Sequence, residues 1–173
     1  MSDEHVETMW EGRFLRMRRA GRWEYVSRTR DMQAAVILAV EDGHVLLVEQ
    51  FRVPLGARCL ELPAGLVGDE VAGEAILPAA LRELEEETGY RAAEAIEAGR
   101  FASSPGMVSE TFTLVVAKGL RRVSDGGGVD GEDISVHRVP LADLAGFVEA
   151  KRAEGVTIDV KLLLLLGAGL LGG

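Results

Sequence analysis

The sequence predicts a mixed β-sheet flanked by helices, which is an α/β or α+β fold. Apolar, strand-like runs lie on both sides of a short helical stretch at 78–88, and a second stretch with helical period covers 141–154. At 173 residues the chain is long enough for one domain with a sizeable core.

The strand predictions rest on apolar runs bounded by turn residues. The run QAAVILAV at 33–40 is uninterrupted, as expected of a strand covered on both faces. Asp42-Gly43 after it is a hairpin signal, and loops are predicted at 53–57, 103–106 and 125–133. The predicted strands are 6–11, 13–19, 23–29, 33–40, 44–51, 59–62, 97–102, 111–117 and 134–139.

A helix is predicted to begin at Pro78, because proline suits a first helical position, and to end before Gly89, which suits a left-handed residue. Glu83, Glu86 and Glu87 share one face of this helix. Its core face is predicted to comprise Leu77, Leu81, Leu84 and Thr88.

The C-terminal part is also predicted to be helical, over 141–154 and again after Thr157. The apolar run LLLLLGAGLL at 162–171 is too short to cross a bilayer, which needs about 20 residues. We expect it to pack on the sheet or on a partner chain.

The charge and cysteine content narrow the function class. A net charge of −9 and a pI near 4.9 argue against nucleic-acid binding, which needs Lys and Arg. The lone Cys59 excludes an internal disulfide and suits a reducing compartment. Because the acidic start MSDEHVE lacks a signal-peptide pattern, we expect a cytoplasmic protein that does not enter a membrane.

The acidic helix face is the feature with chemical consequences. Three neighbouring carboxylates repel each other, and within the helix only Arg82 offsets them. Hard cations such as Mg²⁺ or Mn²⁺ take oxygen ligands of this kind. The alternative is a solvated acidic face, which is what most Glu-rich helices present.

The spacing around this helix resembles the signature of the Nudix hydrolases, which cleave nucleoside diphosphates linked to another moiety. The pattern G-x5-E-x7-R-E-U-x-E-E-x-G-U, with U a bulky apolar residue, is satisfied by Gly68, Glu74, Arg82, Glu83, Leu84, Glu86, Glu87, Gly89 and Tyr90. The resemblance implies an α/β/α sandwich with a mixed sheet at 31–173. Residues 1–30 then form a separate small β-sheet region.

Other stretches resemble the ADP-ribose pyrophosphatase branch of that family. They are EQFR at 49–52, ELPAG at 61–65, SSPG at 103–106 and GEDI at 131–134. In that branch the N-terminal strands are exchanged across a homodimer. Exposed aromatic and arginine side chains on strands 6–29 fit such an exchange, because they are poorly suited to a free sheet edge.

The resemblance also implies roles for individual residues. The metal ligands are Glu83, Glu86, Glu87 and the Ala64 carbonyl, Arg82 orients a helix carboxylate, and Arg52, Pro105 and Gly106 contact the substrate. We expect Glu132 to be the general base, with Asp130 and Glu110 as rivals, and Trp23 and Tyr25 to stack on a purine. His5, His44 and His137 lack ligand spacing and are interpreted as structural or surface residues.

The predicted function is metal-dependent hydrolysis of ADP-ribose to AMP and ribose 5-phosphate. GDP-mannose or another nucleotide sugar is the alternative substrate. From other classes, a nucleotide-sensing domain without turnover and a purely structural acidic protein stay open. The intact set of carboxylates argues against the sensing domain.

Overall fold

The computed structural model describes residues 5–30, 32–68, 73–129 and 131–171. The strands are β1 (Val6–Glu11), β2 (Leu15–Ala20), β3 (Trp23–Arg28), β4 (Gln33–Glu41), β5 (His44–Arg52), β6 (Ala57–Glu61), β7 (Ala64–Val67), β8 (Tyr90–Arg91), β9 (Glu94–Ala102), β10 (Thr111–Lys118), β11 (Arg121–Arg122), β12 (Ile134–Pro140) and β13 (Thr157–Ile158). The helices are α1 (Ile76–Thr88), α2 (Leu144–Ala153) and α3 (Leu163–Leu171), with 3₁₀ turns at Val53–Leu55 and Val160–Leu162.

The central sheet has the strand order β13-β6-β5-β4-β10-β9. In addition, β12 pairs with β5 and β7 pairs with β4. The β4–β10 and β6–β13 pairs are parallel, whereas the others are antiparallel. The predicted mixed sheet is therefore confirmed, and β4 is bonded along both edges.

Two apolar layers cover the two faces of this sheet. On one face Leu84 of α1 packs with Ile37 of β4. On the other face Val148 of α2 packs with Val36 and Leu47. Because neighbouring residues of β4 enter opposite layers, its sequence is uninterruptedly apolar. The α/β/α sandwich is confirmed.

A separate antiparallel sheet, β1-β2-β3, precedes the sandwich. It contacts the sandwich through β3, where the Val26 amide donates to the Met107 carbonyl and the Ser109 amide donates to the Val26 carbonyl, each at 2.9 Å. Arg28 and Glu110 form an ion pair of 2.5 Å beside these bonds. The N-terminal sheet is thus attached to the loop between β9 and β10.

Several predicted boundaries were wrong. Helix α1 begins at Ile76 rather than Pro78, because the first-turn amides need no intrahelical partner and proline is tolerated there. Helix α2 begins at Leu144, after a turn at 141–143. Strand β7, which follows Pro63, was not predicted, since AGLV is short and lacks alternation.

The C-terminal apolar run is only partly covered. Leu162 is fully buried, as predicted, but Leu163 is 46% and Leu164 57% exposed. Of the two expected partners, the sheet covers Leu162, whereas packing of Leu163 and Leu164 on a partner chain stays a prediction. In the part of the chain that the structure describes, no helix has the length and apolarity needed to cross a membrane.

Candidate active site

Helix α1 ends as its sequence predicts. Gly89 is left-handed, with a φ of 76°, and its amide donates to the Glu85 carbonyl at 2.8 Å. Leu84 and Thr88 are buried. The acidic face of the helix is directed toward β7.

Arg82 connects the carboxylates at the surface of this face. Its Nη1 donates to Glu86 Oε2 at 3.0 Å, and its Nη2 lies 3.1 Å from Glu83 Oε1. The same nitrogen lies 3.4 Å from Glu74 Oε2, so Glu74 braces the start of the helix directly. Arg82 thus contacts three carboxylates, and its role in orienting a helix carboxylate stays a prediction.

Glu87 is the buried member of the acidic face, with 6% of its surface exposed. Its Oε2 accepts a hydrogen bond of 3.0 Å from the Ala64 amide. Burial, together with the nearby charges of Glu83 and Glu132, raises the pKa of Glu87 to about 8 despite this hydrogen bond, which acts to lower it. Without a cation beside it, Glu87 is therefore mostly protonated at neutral pH.

Gly65 allows the helix to approach β7 this closely. A Cβ on residue 65 would overlap the carboxyl group of Glu83. The glycine of the ELPAG segment therefore leaves the space that the Glu83 carboxyl group occupies, and it does not serve an unusual backbone angle.

Arg52 is held at the edge of the same site by a buried partner. Its Nε and Nη2 donate to the two carboxylate oxygens of Glu61 at 2.6 and 2.7 Å. The Glu61 side chain is 6% exposed, and its hydrogen bonds raise the pKa of Arg52. This two-point contact fixes the plane of the guanidinium.

The loop that carries Glu132 is bonded to the end of α1. The amides of Gly127 and Gly128 donate to the carbonyls of Glu87 and Glu86 at 2.9 and 3.0 Å. The Val129 amide donates to Glu132 Oε2 at 3.1 Å. The sequence predicts only a loop here, but its glycines also serve close packing, since a Cβ on residue 128 would overlap the Glu132 carboxylate.

These groups line one cleft of about 270 Å³. It brings together the predicted residues Arg52, Ala64, Arg82, Glu83, Glu86, Glu87 and Glu132. Gln50, Gly65, Leu66 and Val129 line it as well and were not predicted. Gln50 was open to prediction, because residues two apart on a strand share a face and Arg52 was already a candidate.

Other candidates lie elsewhere. Trp23, Tyr25, Pro105 and Gly106 do not line this cleft within the described residues. Glu110 does not line it either, and its carboxylate is paired with Arg28. Asp130 lies outside the residues that the structure describes.

The donor set fits a hard divalent cation in its chemistry. Four carboxylates border one cleft, and the buried Glu87 has a raised pKa that a cation would reverse. Among the described residues, however, no three Asp, Glu, His or Cys side chains are arranged so as to hold a metal ion as they stand. Arg82 engages Glu83 and Glu86 instead.

Comparison with known proteins identifies the family. The family model for the NUDIX domain matches residues 29–160. The chain belongs to the Nudix family. The predicted family is thereby confirmed. Its ADP-ribose pyrophosphatase-like character is supported by the relatives and the solved structure described next.

Two Nudix relatives and one solved structure are informative. An ADP-sugar pyrophosphatase of Mus musculus is 41% identical over 126 residues, and an ADP-ribose pyrophosphatase of Bacillus subtilis is 35% identical over 118. Each match covers 68% of this chain but only 56% and 62% of the relatives' own lengths, so the chain corresponds to part of each. A crystal structure of an ADP compounds hydrolase superposes with a TM-score of 0.68 at 25% identity, covering 97% of this chain and 92% of the other.

Proposed function

We propose that this Nudix chain hydrolyses the diphosphate of ADP-ribose, releasing AMP and ribose 5-phosphate. The observation that carries the proposal is the single cleft in which the signature carboxylates of α1 meet Arg52 and Glu132. The names of the two relatives and of the solved structure point to adenine diphosphate compounds.

The metal is Mg²⁺ or Mn²⁺ in this proposal. Glu83, Glu86, Glu87 and the Ala64 carbonyl would hold it, and it would neutralise the diphosphate oxygens and lower the pKa of a bound water. Glu83 and Glu86 would then exchange their contact with Arg82 for the cation. Protonated Glu87 would lose its proton when the cation binds.

Glu132 is our candidate for the general base. It borders the cleft, and the Val129 amide fixes its Oε2. In this proposal the other carboxylate oxygen takes the proton of the attacking water. Its rival Glu110 is less suitable, because it lies outside the cleft and is paired with Arg28. Arg52, held by Glu61, would bind the phosphates of the substrate.

We further propose a cytoplasmic homodimer that exchanges the N-terminal sheet formed by β1–β3. Trp10, Phe14 and Trp23 on this region are 62%, 57% and 55% exposed, which a partner chain would reduce. In such a dimer Trp23 and Tyr25 would stack on the purine, and the turn at Pro105-Gly106 would lie against the substrate. Light scattering at micromolar concentration tests the dimer, and a fully active monomer would refute it.

Product analysis over a panel of nucleoside diphosphates tests the function. With Mg²⁺, ADP-ribose should yield AMP and ribose 5-phosphate faster than GDP-mannose or other nucleotide sugars yield their products. Preferred cleavage of GDP-mannose would move the assignment to the alternative substrate. Binding of ADP-ribose without products at any metal concentration would instead identify a sensing domain.

A further inference from the structure

A buried charge cluster lies on the sheet face opposite to the cleft, and the proposed function does not use it. Its centre is Glu49 of β5, which is 6% exposed. Glu49 Oε1 accepts a hydrogen bond of 2.7 Å from Arg58 Nε. Its Oε2 lies 3.0 Å from both Lys151 Nζ and His137 Nε2. Helix α2, which carries Lys151, is thereby fastened to the sheet.

Arg58 connects this cluster to the loop at 125–133, which carries the candidate base Glu132. Its Nη1 donates to Asp133 Oδ2 at 2.9 Å, and its Nη2 donates to the Glu49 carbonyl at 2.9 Å and to Ser135 Oγ at 3.2 Å. Asp133 directly follows Glu132 and precedes the first residue of β12. The guanidinium therefore joins the buried carboxylate to the residue next to the candidate base.

The loop is consequently held at two points. At its start, the Gly127 and Gly128 amides bond to the end of α1. At its end, Asp133 bonds to Arg58. The turn formed by Val129 and Glu132, whose amide donates back to the Val129 carbonyl at 3.1 Å, lies between these two anchors.

We propose that Arg58 is a positioning residue, which holds the loop so that the Glu132 carboxylate faces the cleft. This inference rests on the proposed function, because it concerns the placement of the proposed base. The Asp133 side chain is 83% exposed, so its ion pair contributes little to global stability. Its effect is expected on the placement of the neighbouring residue, where a shift of about 1 Å can cost up to 10²-fold in rate.

The guanidinium geometry explains why an arginine stands here. A planar fork of donors can contact Glu49, Asp133 and Ser135 at once, whereas the single ammonium of a lysine cannot span them. We therefore expect Arg58→Lys to recover only part of the rate that Arg58→Gln loses.

The test compares Asp133→Ala and Arg58→Gln in the wild-type protein and in the Glu132→Gln background. Alone, each should lower kcat about tenfold, while KM and the Mg²⁺ requirement stay unchanged. In the Glu132→Gln background neither should lower kcat further, because both act through Glu132. Asp133→Ala changes an exposed residue, so its result does not depend on whether Arg58→Gln folds.

Arg91→Gln is the matched control. Arg91 forms an exposed two-point ion pair with Glu85, at 2.6 and 2.8 Å. Among the described residues it neither lines the cleft nor bonds to the loop at 125–133. It should leave kcat unchanged. Wild-type kcat in Asp133→Ala, or a loss that adds to that of Glu132→Gln, would overturn the positioning role. A Glu132→Gln variant with normal turnover would instead remove the proposed base, and the inference with it.

Discussion

The Glu87 carboxylate of α1 accepts a hydrogen bond of 3.0 Å from the Ala64 amide of β7. This bond joins the signature helix to the ELPAG segment, which lies 23 residues earlier in the chain. Ala64 therefore belongs to the site through its amide, whatever its carbonyl binds. The bond also keeps a buried carboxyl group directed at the cleft.

The protonation of Glu87 should make the metal-free protein less stable at high pH. The pKa of Glu87 is raised from 4.5 to about 8 in the folded protein. Between these pH values the unfolded chain has released a proton that the folded chain retains, so stability falls as the pH rises. Glu87→Gln has no proton to release, so it does not lose stability in this way. With a chelator present, the melting temperature of Glu87→Gln should exceed that of the wild type by more at pH 8 than at pH 5.

Glu85→Gln is the control on the same helix. Glu85 is paired with Arg91, which lowers the pKa of Glu85. The difference in melting temperature between Glu85→Gln and the wild type should therefore not grow in favour of the variant as the pH rises. An equal melting temperature of Glu87→Gln and wild type throughout this pH range would contradict the account of the buried acid.

Gly65→Ala should weaken metal binding, because the new Cβ would displace the Glu83 carboxyl group. We expect Mg²⁺ affinity to fall by about tenfold or more, the usual cost of disturbing the support of a metal ligand. Titration with Mg²⁺ checks this. Gly146→Ala in α2 is the control, since its Cβ meets open space. Equal affinity in the two variants would contradict the role of Gly65.

Gly128→Ala should lower kcat by displacing the Glu132 carboxylate, which the new Cβ would overlap. Residue 128 has a φ of 83°, so the substitution also strains the backbone. Gly131→Ala isolates that effect, because residue 131 has a φ of 91° but meets nothing within 4 Å. If the two variants lose the same rate, strain rather than displacement of Glu132 explains the loss.

Arg52→Gln should raise KM for ADP-ribose and also destabilise the fold. Glu61 is buried, so losing its partner leaves a carboxylate without its charge-assisted bonds. We expect the free energy of unfolding to fall by about 2 kcal/mol. This is less than for a wholly buried ion pair, because 40% of the Arg52 side chain is exposed. Urea unfolding and initial rates measure the two effects. Unchanged KM would remove Arg52 from the proposed phosphate site.

The acidic helix was predictable from sequence because its constraints are local. Residue spacing fixes which carboxylates share a face, and Gly89 fixes where the helix ends. The residues that these side chains contact were harder to predict from the sequence. Gly65 makes room for Glu83, and Glu61 holds Arg52. Both contacts depend on how β6 and β7 pack, which the hydrophobic periodicity of the sequence does not specify.

The glycine run at 126–128 shows the same limit. Its composition is typical of a flexible loop, but two of its amides bond to the end of α1. A Cβ on Gly126 would overlap the backbone where Thr88 meets Gly89. Nothing in the sequence distinguishes a glycine needed for motion from one needed for close approach.

The central claim is that the carboxylates of α1 and Glu132 form one hydrolytic centre. The most direct test is the rate of AMP release from ADP-ribose, measured against Mg²⁺ concentration for wild type, Glu86→Gln and Glu132→Gln. We predict that Glu86→Gln loses most turnover while its melting temperature holds, and that Glu132→Gln is slower by about 10²–10⁴ at every Mg²⁺ concentration. The claim would be contradicted if either variant kept turnover within about threefold of the wild-type rate, because the predicted losses are much larger.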